Sequence, residues 1–100
     1  MAKVLLRQKA VEDLNDIWNY TAKKWSEVQA DKYYAAIQLA FTRIAQNQSL
    51  GKPYDDIKEH LLGYKSGKHI IFYRLISPDN MEVIRILHER MDLQSRLSGI

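Results

Sequence analysis

The apolar positions change their period twice along the chain. Val4-Leu5-Leu6 is a short apolar run, long enough for one strand. From Ala10 the spacing becomes three and four: Ala10, Leu14, Ile17 and Thr21, with Val11 and Trp18 beside them. Glu12, Asp13, Asn15, Asp16 and Asn19 fill the other side, which predicts an amphipathic helix of about four turns with a solvated acidic face. Its early acids suit the positive end of a helix, and Lys23-Lys24 suit the negative end. Ser26-Glu27-Val28-Gln29 reads as a capping box, in which the hydroxyl takes a free backbone N–H and the Gln reaches back. A second helix follows through Ala30, Tyr33, Tyr34, Ile37, Phe41, Ile44 and Ala45, one wide stripe over about 20 residues. Asn47-Gln48-Ser49 and Gly51-x-Pro53 end it. The gap between the helices allows only an antiparallel helical hairpin.

Residues 51–60 are polar and irregular. Beyond them the pattern is that of strands. Leu61 to Lys65 is the first, Ser66-Gly67 a tight turn, and Lys68 to Ile76 a β-branched and aromatic second strand. Ser77-Pro78-Asp79-Asn80 is a turn, and Met81 to His88 the last strand. Residues 91–100 form a short tail with one or two helical turns. The order β-α-α-β-β-β predicts an α+β domain, a single one over 1–100, with an antiparallel sheet covered on one face by the hairpin. The last two strands are apolar at both parities, so the tail or a partner must cover part of the second face.

Composition narrows the chemistry. One hundred residues make one domain, and 46% hydrophobic with 27% charged residues exclude intrinsic disorder. The absence of cysteine excludes a disulfide scaffold, a thiol nucleophile and a Cys-type zinc site. No apolar run approaches the roughly 20 residues of a membrane span, and Met1 to Ala10 lacks a signal-peptide core, so the cytoplasm is the expected compartment. The net charge of +3 comes from 15 basic and 12 acidic residues spread evenly along the chain. A dedicated nucleic-acid binder concentrates more charge on one face.

Few residues could carry chemistry. A symmetric turn at 77–80 would pair Ile76 with Met81, Arg74 with Val83 and Phe72 with Arg85. Arg74 and Arg85 would then share one face and form a small anion-binding surface. The alternative is that each Arg pairs with a nearby carboxylate such as Glu82 or Glu89. His88, at the end of the last strand with Glu89, Arg90 and Asp92 following, is either a general acid/base or a hydrogen-bonded structural residue. His60 and His69 are not at metal-ligand spacing with it, and no metal or cofactor is expected. Trp18, Trp25 and the tyrosines of the second helix could stack on bases, but at helical spacing they read as core. Serine-nucleophile, P-loop and dinucleotide-binding patterns are absent.

The string L-x-x-I-W-x-Y-x-A-x-x-W (Leu14 to Trp25), followed by Q-A-x-x-Y (Gln29 to Tyr33), resembles the ParE toxin family. So do H-I-I-F-Y-R (His69 to Arg74) and I-R-I-L-H-E-R-M-D (Ile84 to Asp92). The resemblance implies the RelE/ParE fold, a twisted antiparallel sheet against a helical hairpin, and the toxin half of a type II toxin–antitoxin pair that stabilises a plasmid or chromosome. It implies a DNA gyrase inhibitor that is not an enzyme and traps gyrase on cleaved DNA. A ParD-type antitoxin, with a ribbon–helix–helix N-terminal region and a disordered C-terminal segment, would neutralise it. DNA would be met only through antitoxin or gyrase. On this reading Arg74, Arg85, His88 and Arg90 serve toxicity, and Arg85 matters more for toxicity than for folding. Leu14, Ile17, Trp18, Tyr33 and Ile37 would line the antitoxin groove. The alternatives are a RelE-like ribosome-dependent mRNA interferase and a non-toxic interaction module. The tail Leu93 to Leu97 departs from the nuclease pattern, having no aromatic residue and little positive charge.

Overall fold

The computed structural model describes residues 2–99; Met1 and Ile100, the ends of the expected domain, lie outside them. The expected order holds: β1 (Lys3–Leu6), α1 (Gln8–Lys24), α2 (Glu27–Gln46), a 3-10 turn (Gln48–Leu50), β2 (Lys52–Pro53), β3 (Leu62–Ser66), β4 (His69–Ser77), β5 (Asn80–His88) and α3 (Leu93–Leu97). The polar stretch after Gly51 adds the two-residue strand β2, which pairs with β3. Ser26 caps α2 as expected, its hydroxyl accepting from the Gln29 N–H at 3.0 Å. The first turn of α1 holds no acid, because the helix begins at Gln8 and Glu12 falls in its second turn.

The strand order is β1-β5-β4-β3-β2. The meander β3–β4–β5 is antiparallel, but β1 pairs with β5 in parallel, so the sheet is mixed and not wholly antiparallel. The helical hairpin forces this: it carries the chain across one face, and β1 lands beside the strand that closes the domain.

Two cores lie on opposite faces. Ala10, Leu14, Ile37, Phe41 and Ile44 of the hairpin pack on Ile71, Tyr73, Met81, Val83 and Ile86. On the second face Leu61, Ile70, Phe72, Ile84 and Leu87 are covered by Leu97 and Leu93 of α3 and by Tyr54 and Ile57 of the 54–60 segment. The tail thus covers the second face, as its apolar parity required. Tyr73 is fully buried, and its hydroxyl donates to the Gln48 carbonyl at 2.7 Å while accepting from the Gly51 N–H at 2.9 Å. A Cβ on Gly51 would overlap that hydroxyl, so only glycine allows the approach.

The register of β4 on β5 differs from the symmetric expectation. Phe72↔Arg85 pair as expected and His69 falls opposite His88, but a bulge at Ile84 shifts the rest, so Arg74 faces Glu82 and not Val83. A bulge inserts one residue and changes the parity beyond it. Arg74 and Arg85 both stay on the side of Phe72, but the bulge sets Glu82 opposite Arg74, and that carboxylate takes it.

Candidate functional site

The turn between β3 and β4 begins the site. Gly67 has φ +61°, and a Cβ there would meet the Tyr33 ring at 2.8 Å. Tyr33 lies across this turn, its hydroxyl accepting from the Lys68 N–H at 3.0 Å and standing 2.7 Å from Nδ1 of His69. The sheet register sets His69 opposite His88, and the rings meet edge-on, 5.2 Å apart. Tyr33 meets His69 in the same way at 5.5 Å. Nδ1 of His88 accepts the Arg90 N–H at 3.1 Å. Burial, reinforced by the neighbouring His88, pushes the His69 imidazole down to about 4, so it is neutral at physiological pH.

This pair forms the floor of a trough against the C-terminal half of α1 and the start of α2. Two adjoining cavities of about 480 and 390 Å³ share Tyr20, Thr21, His69 and His88. Trp25, Gln29, Tyr33 and Lys68 complete one; Asp16, Ile17, Arg90 and Met91 complete the other. Trp25 is 70% exposed and Tyr20 62%. Two large aromatic residues left in water at the mouth of an apolar cavity mark a binding surface. Trp25 is thus not core, contrary to its helical spacing, because it caps the end of α1 where the chain turns away.

The residues expected to line an antitoxin groove divide. Ile17 and Tyr33 face the trough. Leu14 (5% exposed) and Ile37 (0%) are in the core under the hairpin. Trp18 is half-buried, and its indole N–H ties α1 to α2 through Asp31 at 2.9 Å.

The arginines divide too. Arg85 makes a two-pronged pair with Asp13, Nε to Oδ2 at 2.8 Å and Nη2 to Oδ1 at 3.0 Å. Asp13 Oδ2 also accepts the Ile86 N–H at 3.0 Å. Asp13 is therefore not part of a solvated acidic face; Glu12 and Asp16 are exposed. Arg74 and Arg7 both bond Oε1 of Glu82, at 3.0 and 3.1 Å. Each sheet arginine thus has its own carboxylate. Arg90 is exposed at the rim of the trough.

Sequence reasoning missed His69, whose partner is nineteen positions away across two strands, and missed Tyr20 as a lining residue. A signal existed for His69: the symmetric register that sets Phe72 opposite Arg85 also sets His69 opposite His88. Among the described residues no group of three or more His, Asp or Glu is placed to hold a metal, and no helix is long and apolar enough to cross a membrane.

Comparisons with known proteins agree with this architecture. Residues 4–93 match the family described as "ParE toxin of type II toxin-antitoxin system, parDE". The chain is 33% identical over 96 residues to Toxin ParE1 of Mycobacterium tuberculosis, covering 96% of this chain and 98% of that one. It is 33% identical over 92 residues to Toxin ParE1 of Caulobacter vibrioides, covering 92% and 94%. A solved structure titled "Chromosomal ParDE TA system from P. aeruginosa" superposes with a TM-score of 0.76 at 17% identity, covering 88% of this chain and 96% of that one, which shows the common fold.

Proposed function

The chain belongs to the ParE toxin family of type II toxin–antitoxin systems, and from that premise we propose that it poisons DNA gyrase and is neutralised by a ParD-type antitoxin. The trough carries the antitoxin half of this reading. It offers apolar volume, two exposed aromatic rings and cations at the rim (Lys68 and Arg90). Those features suit an acidic segment that folds on binding and inserts apolar anchors. Arg74, on the sheet, and His88 and Arg90, at the trough, are the residues we assign to the target, with Arg85 holding β5 against α1 through Asp13. Gyrase is cytoplasmic, and the toxin's action is placed there.

The same cluster argues against a nuclease. General acid/base cleavage needs a donor and an acceptor near neutral pKa, both free to reach the reacting groups. His69 is held at about 4 with Nδ1 beside the Tyr33 hydroxyl, and Nδ1 of His88 is occupied by a backbone N–H.

The test expresses the chain alone in a bacterial host and then adds purified protein to gyrase. The expected result is growth arrest, loss of supercoiling and accumulation of cleaved DNA. Codon-specific mRNA cuts in translating ribosomes that His88→Ala abolishes, with gyrase unaffected, would put a RelE-like interferase in its place. Normal growth would leave only a non-toxic interaction module.

A further inference from the structure

The sheet face away from the hairpin carries a second cluster that the trough does not use. Arg7, at the end of β1, and Arg74, on β4, reach toward each other over Glu82 of β5, and both bond the same oxygen, Oε1. A guanidinium has five N–H donors, and Arg7 and Arg74 each place one on Glu82. Both remain open to solvent, with side chains 32% and 43% exposed. They line a shallow cleft with Lys58, Glu59, Leu61 and Ile84; with the Glu82 carboxylate that both arginines bond, three bases stand against two acids.

We infer that Arg7 and Arg74 form a two-arginine seat for one backbone phosphate of duplex DNA. Planar guanidinium forks match phosphate oxygens in geometry as well as charge. Glu82 fixes both forks from below and cancels one of their charges, so an oxyanion on the solvent side meets two ordered donors and a net positive site. The cleft holds no aromatic ring on which an unpaired base could stack, and single strands depend on such platforms. A backbone contact to a duplex is what the chemistry supports. This goes beyond the gyrase reading, since it sets DNA directly against the toxin, and its test contains no gyrase.

The experiment measures fluorescence anisotropy of a labelled 20-base-pair duplex with the purified chain at low salt, and of a single-stranded RNA of equal length. Wild type is expected to bind the duplex weakly, with affinity falling as salt rises. Arg74→Gln, and likewise Arg7→Gln, should lower affinity several-fold and reduce the log–log salt slope by about 0.9, the share of one lost phosphate contact. Glu82→Gln separates a seat from a structural cluster: the Gln carbonyl keeps the acceptor oxygen that holds both forks while the opposing charge is removed, so duplex affinity should rise, and a purely structural role predicts no gain. Lys32→Ala, an exposed cation on α2, should leave the slope unchanged. Each variant is melted first to confirm folding. Equal affinity and slope in wild type and both arginine variants, a loss on Glu82→Gln, an equal loss on Lys32→Ala, or binding of RNA alone would each overturn the inference.

Discussion

Asp13 and Arg85, seventy-two residues apart in sequence, close the domain through one two-pronged ion pair. The carboxylate also takes the Ile86 N–H, and the guanidinium extends to the Arg96 carbonyl at 3.4 Å. One contact therefore links α1, β5 and α3. Both side chains are largely buried, at 14% and 13% exposed. The Arg85 guanidinium, expected to serve toxicity, is thus also a structural link.

Removing either partner strands the other charge. Arg85→Ala and Asp13→Ala should each destabilise the fold by about 2–3 kcal/mol, between the values for exposed and fully buried pairs. The double variant should cost less than the sum, because neither charge is then left alone. Chemical denaturation of the four proteins checks this, and additive losses would deny the coupling.

The imidazole of His69 sets a pH dependence. Its pKa is about 4 in the folded protein against about 6.5 unfolded. Between these values the unfolded chain binds a proton that the folded chain refuses, so stability rises with pH across this window. On acidification it falls from about pH 6.5 toward 4. The groups facing the ring are His88, Tyr33, Asp13 and Glu89. His69→Asn should flatten the slope of the denaturation midpoint between pH 4.5 and 6.5; an unchanged slope would assign the effect to another group.

The buried hydroxyl of Tyr73 joins the 3-10 turn after α2 to the sheet. Tyr73→Phe leaves the Gln48 carbonyl and the Gly51 N–H without it and should cost about 1–3 kcal/mol. Gly51→Ala should cost a similar amount by overpacking against that hydroxyl. Thermal melts of both and of the double variant are the measurement, the double being milder than the sum.

The trough predicts which tryptophan a partner meets. Trp25→Ala should weaken binding of an acidic antitoxin C-terminal segment about tenfold or more, as for exposed aromatic anchors. Trp18→Ala should act on stability through the lost Asp31 bond and leave affinity nearly unchanged. Calorimetric titration of both proteins decides, and the reverse order would move the docking surface from the trough to the outer side of the hairpin.

Much of the fold was legible because its signals are local. The three- and four-residue spacing from Ala10 to Thr21, the Ser26 cap and the Gly67 turn each act within a few residues, and each is found where expected. The site was less legible. Trp25 and Leu14 belong to one apolar pattern, yet one is 70% exposed and the other 5%. Periodicity tells which residues share a face, and where the element ends decides whether that face is covered.

By itself the sequence determined the element order, the helical hairpin, the meander and the need to cover both sheet faces, since these follow from period, caps and turn residues. Only the tertiary structure decided the parallel pairing of β1 with β5, the bulge at Ile84, the assignment of Asp13 to Arg85 and of Glu82 to Arg7 and Arg74, and the meeting of His69 with His88 and Tyr33. A bulge of one residue reverses which side chains share a face, and ion pairs form between groups that chain folding happens to bring within a few ångströms. Neither leaves a local trace in the order of residues.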